Sequence, residues 1–139
     1  MGLVISIIAS IDHLQPKAKL GAFRVYKTIA SGSTCKVKLG GMLDPDSGKY
    51  KPVAIKMFSK TKDGKDNWDL LMTEIKIMEK LDHPNIVKQI SFGEEKYEKK
   101  GKADRMFNFI VLELCQVGCL FDYVVNGAFD EKVARYFFK

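Results

Sequence analysis

From Phe23 to Phe58 the chain reads as three consecutive β segments joined by two turns, and this pattern restricts the fold more than any other stretch. Phe23–Ile29 alternates and is rich in β-formers, which predicts a strand. Ser31–Thr34 supplies a turn, and Cys35–Met42 reads as the returning strand. Asp44-Pro45-Asp46-Ser47-Gly48 is a strong turn signal, because each of these residue types favours tight backbone reversal. Lys51–Phe58 then supplies the third strand. Three such segments in a row predict an antiparallel meander.

A polar connection, Ser59–Lys65, follows, with Asp66 or Asn67 placed to cap a helix. Trp68, Leu71, Met72, Ile75 and Met78 recur at helical spacing and mark its expected buried stripe. Leu81-Asp82-His83-Pro84 stops that helix, since proline lacks a donor and restricts the residue before it. Ile86–Phe92 reads as a fourth strand and the apolar run Met106–Leu114 as a buried fifth. The charged stretch Gly93–Arg105 between them reads as a solvated hairpin loop. Leu120–Val125 predicts a short helix closed by Asn126-Gly127, and Asp130 caps a last helix with Phe129 stapled onto Ala134. The expected fold class is α+β: a five-stranded antiparallel sheet with one packed helix, followed by helical pieces.

Composition excludes several classes of function. The 139 residues carry a net charge of +6, but the lysines are spread among aspartates and glutamates, so no nucleic-acid partner is expected. The three cysteines, Cys35, Cys115 and Cys119, are odd in number and scattered, which argues for a reducing compartment and a cytoplasmic location. Cys115 and Cys119 read as ordinary buried thiols, because His13 and His83 are distant and no second cysteine pair exists; no metal site is expected. The apolar run Leu3–Ile11 is too short to span a bilayer and lacks a basic flank. Gly2 with Ser6 fits a short, common myristoylation pattern, against the plainer reading of an extra strand or an apolar terminus, and membrane attachment is not expected.

The residues that carry chemistry are ordered along the chain. Ile29–Val37 is a glycine-containing hairpin, Val53-Ala54-Ile55-Lys56 puts a lysine on a strand, and Glu74 stands on the helix that follows. A strand ammonium and a helix carboxylate can pair across a cleft that a hairpin roofs, an arrangement suited to nucleotide phosphates. Further on stand His83-Pro84-Asn85-Ile86-Val87, Ile110–Cys115 and Gly118–Tyr123. In this order the motifs resemble the N-terminal lobe and hinge of a eukaryotic protein kinase of the serine/threonine type, closest to the calmodulin-dependent and energy-sensing group. The likeness runs from about Phe23 to the end of the chain.

The resemblance implies ATP as the bound nucleotide, with Lys56 on its α- and β-phosphates and Glu74 holding Lys56. It implies a hinge in which Glu113 offers its carbonyl and Cys115 its N–H to adenine. Leu112 is then the gatekeeper, and Ile29, Val37 and Ala54 sandwich the ring. Where the family usually has three glycines this chain has Ala30, Gly32 and Cys35, with Thr34 at the tip. Gly32 keeps the middle position, where backbone approaches phosphate most closely. Cys119 stands where relatives often carry a carboxylate for the ribose.

The same likeness implies residues 1–22 as an extension, 23–114 as the nucleotide-binding lobe and 115–139 as the hinge with the start of a helical lobe. Neither His-Arg-Asp nor Asp-Phe-Gly, the segments carrying the catalytic base and metal ligands, occurs in these residues. The expectation is therefore the ATP-binding portion of a kinase, truncated and inactive alone. Mg2+ and protein substrates would engage the full-length parent. The alternatives are a pseudokinase-like docking module and a non-functional fragment.

Overall fold

A computed structural model describes residues 10–59, 68–116 and 118–138. Strands β1 (Ala18–Leu20), β2 (Phe23–Ser31), β3 (Cys35–Leu43) and β4 (Tyr50–Phe58) precede helix α1 (Trp68–Met78). Strands β5 (Gln89–Glu98) and β6 (Arg105–Glu113) and helices α2 (Leu120–Val124) and α3 (Glu131–Phe137) follow. The chain divides into two units, one spanning Ile8–Cys115 and another to which Gln116 and the residues after it belong.

The expected five-stranded sheet is a closed barrel of six strands, in the order β1-β2-β3-β4-β6-β5. The extra strand, β1, pairs antiparallel with β2 on one edge and β5 on the other. Lys19↔Glu98 and Leu20↔Tyr97 close the ring. Three residues are too few to show a period, so β1 carried no sequence signal. Closure has a second consequence. The segment expected as a charged loop is ladder as far as Glu98, leaving only residues 99–104 as connection. Its edge is claimed by β1, and Tyr97 packs against Phe107 with ring centroids 5.7 Å apart.

The central hairpin is the most regular part. Every residue from Cys35↔Phe58 to Leu43↔Tyr50 pairs without a slip. Its turn is closed by Asp44, whose N–H donates to Lys49 O at 2.8 Å and whose carboxylate accepts from the Ser47 hydroxyl at 2.8 Å. The Ser47 hydroxyl and then Lys51 hold that carboxyl below its usual range. By contrast β2 shifts register twice, between Val25, Thr28 and Ala30. Ordinary alternation puts Val25 in the barrel core and its neighbour Tyr26 outside.

Alternation along β4 builds two cores. Val53, Ile55 and Met57 point inward with Leu20, Val25, Phe109 and Val111. Phe58 points outward, joining Ile110 and the Leu71 and Ile75 face of α1. Of the expected helix stripe, Leu71 and Ile75 are buried and Met72 and Met78 half-buried, but Trp68 is 42% exposed at the first turn. The connection 60–67, with its capping candidates Asp66 and Asn67, lies outside the described residues, as does the Gly2 pattern.

In the second unit, Asp130 caps α3 by accepting from the Val133 N–H at 2.8 Å. Phe129 stacks on Phe137, centroids 5.3 Å apart, whereas Ala134 was its expected partner. A full aromatic face offers more contact than one methyl. Cys115 and Cys119, expected buried, are both exposed, because they follow the last strand and lie beyond the ladder.

Gly40 marks where the barrel is tightest. A Cβ there would stand 2.3 Å from Cδ1 of Ile55, whose side chain is fully buried. Gly40→Ala is expected to destabilise the fold by about 1–3 kcal/mol, read from the urea midpoint. An unchanged midpoint would mean the barrel interior is looser than described.

Candidate functional site

The β2–β3 hairpin is built by two ladder pairs, Ala30↔Val37 and Ser31↔Lys36. Its tip closes through the Gly32 N–H, which donates to Cys35 O at 2.9 Å. The Ser59 N–H donates to Thr34 O at 3.0 Å, tying the tip to the end of β4. Ala30 through Thr34 are exposed. A Cβ on Gly32 would meet only Cys35 O at 3.6 Å, an ordinary contact, and the residue is outside the left-handed region. The hairpin itself therefore does not require glycine at this position; closeness to a ligand would be a separate reason for it.

Directly paired residues of an antiparallel ladder share a face. Val37, Lys56 and Ile110 form one such row across β3, β4 and β6. Leu39, Ala54 and Leu112 form the next. The outer face of the barrel thus carries an apolar floor, with Val37 and Leu112 half-buried and Ala54 buried, interrupted by one ammonium. Ile29 packs beside Leu39 on the same face.

Glu74 reaches that ammonium. Lys56 Nζ donates to Glu74 Oε1 at 2.5 Å, with the side chains 23% and 33% exposed. The pair exists because Phe58, two residues beyond Lys56 and so on its face, packs against Leu71 and Ile75 of α1. Those contacts dock the helix with Glu74 over the strand. The Phe58 ring also lies under the ammonium, its centroid 5.3 Å from Nζ. Phe58 was not singled out from sequence, although its spacing from Lys56 was the signal.

The end of β6 is anchored by a reciprocal contact. Glu113 Oε1 accepts from the Lys88 N–H at 2.8 Å, and the Glu113 N–H donates to Lys88 O at 3.0 Å. Leu114 turns into the cluster of Ile11, Tyr26 and Leu39, while Cys115 is exposed. Ile29, Ala30, Gly32, Val37, Ala54, Lys56, Glu74, Leu112, Glu113 and Cys115 all fall in the Ile8–Cys115 unit. Cys119 belongs to the other unit, where its N–H donates to Asp122 Oδ2 at 3.3 Å ahead of α2. Among the described residues no cluster of three or more His, Cys, Asp or Glu is placed to hold a metal ion. No helix among them is long and apolar enough to cross a membrane.

An exposed hairpin, an apolar ladder face and one paired ammonium are features suited to nucleotide phosphates. Comparison with known families agrees: the protein kinase domain matches residues 23–139. The chain belongs to that family. A probable serine/threonine-protein kinase MARK-C of Dictyostelium discoideum is 36% identical over 121 residues, covering 86% of this chain and 14% of the relative. MARK-A of the same organism is 32% identical over 131 residues, covering 94% and 11%. The CBL-interacting serine/threonine-protein kinase 3 of Arabidopsis thaliana is 33% identical over 127 residues, covering 90% and 26%. The chain thus spans between 11% and 26% of the length of these kinases.

A partly exposed ion pair is worth less than a sealed one. A double-mutant cycle of Lys56→Met and Glu74→Gln should give a coupling of about 1–2 kcal/mol in stability, between the exposed and buried limits. A coupling indistinguishable from zero would show that the two groups do not hold each other in solution.

Proposed function

We propose that this chain is the ATP-binding portion of a serine/threonine protein kinase, with residues 23–114 as its nucleotide-binding lobe and 115–139 as the hinge and the start of a helical lobe. The observation that carries this reading is the 2.5 Å pair of Lys56 and Glu74 on the face behind the Ile29–Val37 hairpin. Glu74 leaves the remaining ammonium hydrogens of Lys56 for the α- and β-phosphates, and keeps the side chain from swinging into solvent. The backbone at Gly32 covers the phosphates. Ile29, Val37 and Ala54 enclose the adenine, with Leu112 behind it. The Glu113 carbonyl and the Cys115 N–H take its polar edge. The apolar floor fits a purine, and the partly exposed ammonium fits an anion, so these residues suit the nucleotide on chemistry.

ATP supplies the phosphoryl group that a kinase passes to a serine or threonine hydroxyl. The general base and the Mg2+ ligands of that step have no counterpart among the 139 residues, so Mg2+ and protein substrates are assigned to a larger whole. A cytoplasmic location goes with this assignment.

A second reading, a pseudokinase-like docking module, is favoured by one feature: Ala30 and Cys35 replace glycines of the phosphate-covering hairpin. One experiment separates the two. ATP added to the 139-residue chain should raise its melting temperature and change Trp68 fluorescence, and Lys56→Met should abolish both responses. Phosphate transfer to a peptide should not exceed that of the Lys56→Met variant. A response to ATP that survives Lys56→Met, or none at all, would favour docking; transfer above the variant would refute the assignment of the catalytic base to residues elsewhere.

A further inference from the structure

The barrel has a second chemically distinctive surface, on the face opposite Lys56. Lys36 pairs with Met57 and Lys38 with Ile55, so both lysines point to the inner side of the ladder, at its open end. There a cavity of about 1150 Å³ is rimmed by Lys36, Lys38, Lys99, Lys102 and Arg105. Its floor is apolar, made by Met57, Tyr97 and Phe107 at the end of the barrel core. Among the described residues no carboxylate lines it. Of the nearby acids, Glu98 and Asp104 both bind Lys96, at 2.8 and 3.5 Å, and Glu95 stands opposite Phe107 in the β5–β6 ladder. None of the five rim cations is in an ion pair among the described residues, and Lys38 has only the Thr28 hydroxyl, at 2.9 Å. Burial, then the neighbouring Lys36, Lys99 and Lys17, hold the Lys38 ammonium below the usual lysine range.

Cations drawn from β3, β6 and the loop between β5 and β6 concentrate positive charge at one mouth, which favours an anionic partner. Mouths of β-barrels are among the common ligand sites. The floor selects the kind of anion. Tyr97 and Phe107 are packed edge-to-face on each other and into the core, so only part of each ring is open at the mouth. They do offer an apolar seat for one side chain. We infer that this mouth docks an acidic protein segment that carries a single apolar anchor, its carboxylates on the lysine rim and its anchor on the Met57–Tyr97–Phe107 floor.

The test uses the full 139-residue chain and a fluorescent peptide with one central phenylalanine flanked by glutamates, followed by anisotropy at low salt. The double charge reversal Lys36→Glu with Lys99→Glu should weaken binding about tenfold or more. Replacing the peptide phenylalanine by alanine should weaken it about fivefold. Reversing Lys49 and Lys132, outside the mouth, should change it less than about twofold, and Lys56→Met should not change it. Should the reversal variant fail to melt cooperatively, Lys102→Gln with Arg105→Gln, both exposed on the rim, gives the same readout. The inference is overturned if the peptide does not bind, or if the Lys49 and Lys132 reversal weakens it as much as the rim variants. It is equally overturned if the alanine peptide binds as well as the parent peptide, or if single-stranded RNA displaces the peptide at lower concentration.

Discussion

Strand β4 has a buried surface on both sides, and the structure is organised around that fact. Val53, Ile55 and Met57 fill the barrel, while Ala54 and Phe58 lie under the outer layer, so one strand belongs to two cores at once. A single-residue slip would exchange the two sets and bury Lys56 inside the barrel. The slip-free register with β3 and the six-residue register with β6 prevent this. The helix then follows from the strand: Phe58 fixes Leu71 and Ile75, and Glu74, between them in sequence, is delivered to the ammonium. The ion pair is the result of two hydrophobic contacts, and its geometry is only as firm as they are.

The two faces of the barrel treat cations differently. Lys56 has a carboxylate at 2.5 Å and sits in an otherwise apolar setting, as suits a positive charge held ready for a small, highly charged ligand. Lys38 is partly buried, with like charges near it, a setting that disfavours its charged form. One site spends its carboxylate to position a charge; the other leaves a whole rim without one.

Much of this was legible in the sequence, for reasons that can be named. The meander from Phe23 to Phe58 was visible because alternation and the Asp44–Gly48 turn agree with each other. Lys56 and Glu74 were visible because motif order supplied the pairing that spacing alone does not. Strand β1 was not visible, being three residues long, and its absence made a six-stranded barrel look like a five-stranded sheet. The second half of β5 was hidden because Glu94, Glu95 and Lys96 mask the alternation that Tyr97 continues. The basic mouth could not be read at all, since Lys36, Lys99 and Arg105 become neighbours only when the barrel closes.

The central claim is that Glu74 acts on a nucleotide through Lys56 without touching it. Titration calorimetry of ATP into Glu74→Gln, beside the parent chain, tests this most directly. The account predicts an affinity several-fold weaker, because the ammonium loses the partner that holds it over the strand. Equal affinities in the two proteins would contradict it.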